Sequence, residues 1–373
     1  MMERTDRHYR LLLRLIAPHA WLYTEMITAR ALLHGGHARL LRFDARENPV
    51  ALQLGGSEPT ELARAARLGA DAGFDEINLN VGCPSGRVQA GCFGAALMRE
   101  PTRVAESVAA MRAAVPVPVT VKTRIGVDDH DSYEFLHGFA QAVVAVGCRT
   151  LIVHARKAWL GGLSPKQNRE IPPLDYARVH RLKNDFPDIE IVVNGGLTDA
   201  AAVREQLAHV DGVMIGRSAY HEPMLMADLD RLSRRDAPDD LEEIATGRRC
   251  HDVGAASGRD YSPKIATGRR SYRRRRVLRE YCRYIEAELE AGTPLKAMTR
   301  HLMGMYAHER GGRRWRQELG LLCDGSAGLD QLRACIDGRI ASEARSYYNY
   351  SSNDFEELAT IAPAIAISPE VVP

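Results

Sequence analysis

Along this chain, short apolar runs alternate with longer stretches in which apolar residues recur every three or four positions. The runs at 50–54, 76–79, 119–122, 150–154, 190–194 and 212–215, with 21–24 before them, read as strands. Their polar residues fall mainly at the carboxyl ends, as expected of strands buried on both faces. The stretches at 59–72, 102–114, 132–146, 173–185 and 199–209 read as helices, and a helix at 11–16 precedes the first strand. Strand and helix in this repeated order predict parallel strands joined by crossover helices. No G-x-G-x-x-G follows the first strand, and polar residues end many different strands, so a (β/α)8 TIM barrel is favoured over an open doubly wound sheet. Seven strands are one short of a closed barrel, and the missing first strand is expected ahead of Met1.

Beyond residue 233 the pattern changes, which makes 1–233 the barrel domain. Residues 234–276 are polar and rich in Gly and Arg, with a near-repeat, Ala245-Thr246-Gly247-Arg248-Arg249 and Ala266-Thr267-Gly268-Arg269-Arg270. They show neither period and read as an exposed insertion. Helical spacing resumes at 277–291, 295–308 and 314–322, and more weakly at 328–336. This predicts a small all-α domain over 277–341 and a poorly ordered tail over 342–373.

With 373 residues, 45% of them apolar, the chain can bury a full core. No apolar run nears the ~20 residues that span a bilayer, and the amino terminus lacks the apolar centre of a signal peptide, so a cytoplasmic protein is expected. The 7 cysteines are scattered without a C-x-x-C pair, which points to reduced thiols rather than a disulfide framework or a metal site. Charge adds more. The net charge is only +2, yet from Lys264 to Arg316 fifteen Lys and Arg stand against five Glu, interleaved with Tyr272, Tyr281, Tyr284 and Trp315. A solvated helix face explains many charge runs; one this long, with aromatics, favours a nucleic-acid partner.

The strand ends carry the candidate chemistry. In Asn78-Leu79-Asn80-Val81-Gly82-Cys83-Pro84-Ser85 a strand gives way to a thiol in a loop fixed by Gly and Pro. A barrel enzyme holds a proton donor or nucleophile at such a place, although a small buried Cys taken alone would read the same way. Other strand ends supply Gln53, Lys122, Arg124, His154, Arg156, Asn194-Gly195-Gly196 and Gly216-Arg217. Gly-rich loops after the last two strands form the usual phosphate cradle of a barrel, to which Arg217 adds a forked cation. Lys122 ends an apolar strand and needs an anion or heteroaromatic acceptor unless it snorkels outward; His154 is either a satisfied core imidazole or a ligand contact. A cation, an amide and a phosphate cradle at one barrel mouth suit flavin mononucleotide (FMN).

Longer motifs go further. The Asn78 to Ser85 stretch, Val121-Lys122-Thr123-Arg124-Ile125-Gly126, His154-Ala155-Arg156-Lys157-Ala158-Trp159-Leu160, Leu163-Ser164-Pro165-Lys166, Asn168-Arg169-Glu170-Ile171-Pro172-Pro173-Leu174 and Asn194-Gly195-Gly196 occur in one order. Together they resemble the flavin-dependent tRNA-dihydrouridine synthases, most of all the A-type subfamily that acts at D-loop positions 20 and 20a. The resemblance covers about residues 1–233 and, more loosely, 277–320. It implies a TIM barrel followed by a helical tRNA-binding domain. It also implies that Cys83 protonates carbon 5 of the target uracil while FMN, reduced by NADPH, delivers hydride to carbon 6. By the same resemblance Met2, Gln53, Lys122, His154, Asn194, Gly195, Gly196, Gly216 and Arg217 hold the cofactor. Asn80, Arg156, Lys166, Asn168, Arg169 and Arg300 contact the base or the tRNA. A monomer with no metal and no membrane contact is expected.

Three departures accompany the resemblance. The chain keeps Met1-Met2 but lacks the family's first strand, Gly86 replaces a usual acid, and 234–276 matches no family feature. Two other functions remain in view. An FMN-dependent reductase of a free pyrimidine has no use for the basic helical domain. A non-catalytic tRNA-binding remnant has no use for Cys83, Lys122 and His154.

Overall fold

The computed structural model describes residues 1–86, 91, 93–232, 262–323 and 328–348. The chain divides into two compact units, one made of Met1–Gly258 with His301–His308, the other of Arg259–Arg300 with Glu309–Pro373.

The first unit is built on one parallel sheet. Its strands are β1 (Leu22–Tyr23), β2 (Ile27–Thr28), β3 (Val50–Gly55), β4 (Glu76–Asn80), β5 (Val119–Arg124), β6 (Thr150–His154), β7 (Glu190–Asn194) and β8 (Gly212–Met214). Their order is β1-β3-β4-β5-β6-β7-β8, with β2 also paired to β3. Because β1 and β2 share that neighbour, the sheet has seven positions, as the apolar runs predict. Among the described residues no pairing joins β8 to β1, and no strand precedes the first helix. The fold is thus the TIM-type (β/α)8 pattern with one position absent from the described ladder. Every residue of β3 and β4 is buried, whereas all three of β8 are half-buried.

Crossover helices Pro59–Asp71, Pro101–Ala114, Tyr133–Ala145, Tyr176–Asp185 and Ala200–Leu207 connect the strands. Their starts follow from local chemistry. Pro opens the first two, where its missing N–H is harmless. Ser132, Asp175 and Asp199 cap the other three by accepting backbone N–H bonds.

The opening helix, Arg7–Ile16, is longer than its apolar residues alone indicate. Two of its polar residues are buried as well: Arg10 donates to the carboxylate of fully buried Glu47 at 2.6 Å, and Arg14 donates to the carbonyls of Glu47 and Pro49. Buried arginines with internal partners break the apolar period without breaking the helix.

Residues 301–308 belong to this unit although they lie far along the chain. The His301 imidazole is fully buried, with Nε2 3.0 Å from the Asp6 carboxylate and Nδ1 3.3 Å from the Tyr220 hydroxyl. Tyr9 packs against both rings. Gly304 lies so close to the backbone of His221 that a Cβ would stand 2.5 Å from its carbonyl oxygen, so only glycine fits there.

The second unit contains helices Ser262–Glu290, Leu295–Thr299, Gly312–Cys323 and Leu329–Tyr348. Three expectations change here. Residues 262–276, read as irregular insertion, are the start of a 29-residue helix. Arg is a good helix former, and Pro263 falls in the first turn, where it is tolerated. The last helix also extends past the expected domain end, to Tyr348. The remainder of the insertion, 234–261, residue 233 before it and the tail from 349 lie outside the described residues. Finally, the aromatics of the basic run are mostly core: Tyr281 and Trp315 are 0% exposed and Tyr284 5%, which leaves Tyr272 on the surface. Arg274 is buried as well, bonded to Glu309.

Candidate active site

Strand residues alternate between two faces, and the parallel register brings the polar ones of one face side by side. Gln53 stands opposite Asn78, Asn80 opposite Lys122, Arg124 opposite His154, and His154 opposite Asn194. One mouth of the sheet therefore gathers polar residues from five strands.

On the β3–β5 side these residues bond to one another. Thr120 donates to the carboxylate of Glu76, which also accepts from the Tyr23 hydroxyl at 3.0 Å. Asn78 donates to Thr120 at 2.8 Å, Gln53 to Asn78 at 2.9 Å and Asn80 to Gln53 at 2.8 Å. The Asn80 amide oxygen then accepts from the backbone N–H groups of Gly82 (3.1 Å) and Cys83 (2.9 Å). Asn80, expected to contact the target base, thus uses its amide to shape the Cys83 loop. Cys83 itself is a free, half-buried thiol.

Arg124 braces that loop from the other side. Its Nε donates to the Gly82 carbonyl at 2.8 Å, and its Nη1 to the carbonyls of Lys157 and Asn168, both at 3.1 Å. Burial, with Arg169 and Arg156 near, pulls its guanidinium down to about 10. Asn168, expected among the tRNA contacts, is fully buried and bonded to the backbone of Trp159 through both ends of its amide. Both ends of its amide hold the 157–169 loop together.

The β6–β8 side is different. Lys122 donates to Asn194 Oδ1 at 3.0 Å, and Asn194 donates to the Met214 carbonyl at 2.7 Å. Burial, and next the Arg124 charge, lower the Lys122 ammonium to about 7. The His154 Nδ1 and Arg156 Nε atoms are sealed from solvent and have no hydrogen-bond partner. Burial and the surrounding cations Arg124, Lys122 and Arg156 push the imidazole well below its ordinary range, so it is neutral at neutral pH. Gly195 and Gly196 turn at φ 113° and 71°. A Cβ on Gly195 would stand 3.2 Å from the imidazole, and one on Gly196 2.4 Å from Leu174. This backbone is therefore open only to glycine. Beyond it, exposed Arg217 pairs with Glu170 at 2.6 Å.

The other expected residues are scattered. Met2 is 60% exposed, Lys166 and Arg169 are exposed on the loop below Asn168, Gly216 is half-buried before Arg217, and half-buried Arg300 lies in the helical unit. Glu76, Thr120, Tyr23 and Tyr176, which donates to the Gly195 carbonyl at 2.6 Å, were not expected at the site. The one signal available for Glu76 and Thr120 was a polar residue inside an otherwise apolar strand. Among the described residues, no cluster could hold a metal ion and no helix is long and apolar enough to cross a membrane.

The model of the dihydrouridine synthase (Dus) family matches residues 1–340. The tRNA-dihydrouridine(20/20a) synthase of Shewanella oneidensis is 48% identical over 319 residues, covering 86% of each chain. That of Xanthomonas campestris is 49% identical over 319 residues, covering 86% of this chain and 85% of its own. That of Synechocystis sp. is 47% identical over 342 residues, covering 91% and 92%.

Proposed function

The chain belongs to the dihydrouridine synthase family, and on that premise we propose that it reduces uridine to dihydrouridine in the D-loop of tRNA, at positions 20 and 20a, with FMN as cofactor and NADPH as reductant. The observation that carries the reading is the Cys83 thiol, in a loop braced by Asn80 and Arg124 at a mouth ringed by cations.

The residues on the β6–β8 side, with Lys122 of β5 and Gln53 of β3, fit a flavin. The sealed, unpartnered Nδ1 of His154 calls for a polar partner, and the glycine turn admits a flat ring or phosphate against bare backbone. Lys122, with its charge half lost near pH 7, recovers it beside an electron-rich acceptor. Lys122, Gln53, His154, Asn194, Gly195 and Gly196 would hold the ring and ribityl chain, and Gly216 and Arg217 the phosphate. Bound there and reduced, FMN supplies the hydride for carbon 6 of the uracil. The chain's own part is proton delivery: Cys83 gives its proton to carbon 5, the resulting thiolate is stabilised by Arg124 and Arg169, and water returns the proton.

A uracil reaches this mouth only when flipped out of the folded tRNA. Exposed cations of the helical unit, among them Arg279, Lys296, Arg313 and Arg316, would meet tRNA phosphates, while Arg156, Lys166 and Arg169 meet the strand near the target. The enzyme would act in the cytoplasm, as a monomer. Expression in cells lacking every dihydrouridine synthase, followed by mapping of their tRNA, tests the reading. Dihydrouridine restored at positions 20 and 20a is expected; its absence, with the protein folded and FMN bound, overturns it.

A further inference from the structure

We propose that Glu76 is a positioning residue for Cys83, acting through Thr120, Asn78, Gln53 and Asn80; the inference rests on the function proposed above. Glu76 begins β4, is 6% exposed, and lies at the far end of that strand from the thiol. Nothing in the chemistry of the reaction requires a buried carboxylate there. What it does is set the direction of every bond between itself and the catalytic loop.

An ionised carboxylate only accepts hydrogen bonds. The Thr120 hydroxyl proton is therefore committed to Glu76, and the Thr120 oxygen serves as acceptor for Asn78 Nδ2 at 2.8 Å. That bond turns the Asn78 carbonyl towards Gln53 Nε2 at 2.9 Å, which in turn leaves Gln53 Oε1 to accept from Asn80 Nδ2 at 2.8 Å. Only then is the Asn80 oxygen presented to the N–H groups of Gly82 and Cys83. If any amide reversed, donor would face donor at the next link, and the last link is the backbone of Cys83.

Each member lies on β3, β4 or β5 and is bonded to a member on the neighbouring strand, so the path crosses the sheet inside its buried face. Bonds that all point one way polarise one another, and burial strengthens them. Burial also raises the Glu76 carboxyl above its usual range, while the Thr120 and Tyr23 hydroxyls counter that rise by bonding its charged form. Gln53 keeps one amide hydrogen outside the path, which is thereby aimed as well.

The decisive variant is Thr120→Val, which keeps shape and β-branching but cuts the path. In the FMN-loaded full chain, kcat for dihydrouridine formation should fall by about tenfold to a hundredfold, the cost of a slightly misplaced group. FMN content and KM for tRNA should hold. Thr120→Ser, which retains the hydroxyl, should restore kcat. Tyr23→Phe removes the other donor to Glu76 without cutting the path and should lose less. Glu76→Gln keeps the shape and one oxygen that can still accept from Thr120, so it weakens the bias on the path without cutting it and should lose less than Thr120→Val does.

A second readout needs no activity: alkylation of Cys83 by iodoacetamide, followed by mass spectrometry on the purified chain. It should be several-fold faster in Thr120→Val and unchanged in Thr120→Ser. Wild-type kcat and alkylation in Thr120→Val, or a loss that Ser does not restore, would overturn the inference. Wild-type protein that forms no dihydrouridine while alkylation follows this pattern would overturn the functional reading and leave the positioning role standing.

Discussion

The two sides of the barrel mouth are built on opposite terms. From β3 to β5, the side that carries Cys83, buried polar side chains satisfy one another, ending on the Glu76 carboxylate at one end and the Cys83 backbone at the other. From β6 to β8, polar atoms of His154 and Arg156 are sealed without partners, and the backbone turns at two positive-φ glycines. A wall whose groups satisfy one another holds a geometry by itself. One with orphaned groups carries a cost that a ligand removes. On the function proposed above, the fixed wall would aim the acid and lend Gln53 and Lys122 to the cofactor, while the receptive wall would supply the rest of the cofactor's contacts.

Substitutions on each side should separate those roles. The largest effect is expected for Cys83→Ala: dihydrouridine formation should fall by about 10²- to 10⁴-fold, as for loss of a positioned acid, with FMN content unchanged by absorbance. A parallel loss of FMN would show that the halves are not independent.

Next is Gly196→Val, which forces a β-branched residue to φ 71° and a Cβ into Leu174. Strain of about 1–3 kcal/mol should lower FMN retention by about tenfold or more, while Cys83 alkylation stays at the wild-type rate.

A smaller, pH-dependent effect should come from Lys122. Its folded pKa of about 7 lies below the ordinary 10.5, so between these values the unfolded chain binds more protons. Stability of the FMN-free protein should therefore rise with pH across that window, the burial penalty being full below 7 and gone above 10.5. Urea midpoints at several pH values should show this rise in the wild type and a flatter profile in Lys122→Met. The smallest effect should come from outside the mouth. Removing one exposed cation, as in Lys296→Ala, should reduce the salt slope of tRNA binding by about 0.7–0.9 and leave both halves as they were.

How much of this the chain declares in advance varies with the physics. Strands β6 and β7 fall on the expected residues because their apolar runs are unbroken and sharply bounded. Cys83, Lys122, His154 and the Gly195-Gly196 pair stand out because their types are unusual at strand ends. The Glu76–Thr120 link does not, since it exists only once the register of β4 and β5 sets them within reach. The burial of Asn168 is hidden for a related reason: a polar loop residue looks exposed until the loop folds around it. In the helical unit the many arginines hide a core, so Tyr281, Tyr284 and Trp315 read as part of a nucleic-acid-binding run when they are interior packing.

The assignment of residues 301–308 to the barrel unit, anchored by His301 on Asp6 and by Gly304 on His221, has a consequence for inheritance. The polypeptide enters the helical unit, returns, and enters it again, so that unit is not a cassette. A single recombination point would either strip the barrel of its anchored octapeptide or leave that octapeptide on a stranded helix. A chimaera that swaps only the helical part therefore needs three junctions, one before Arg259 and one on each side of residues 301–308, and must keep those eight residues from the barrel's own parent.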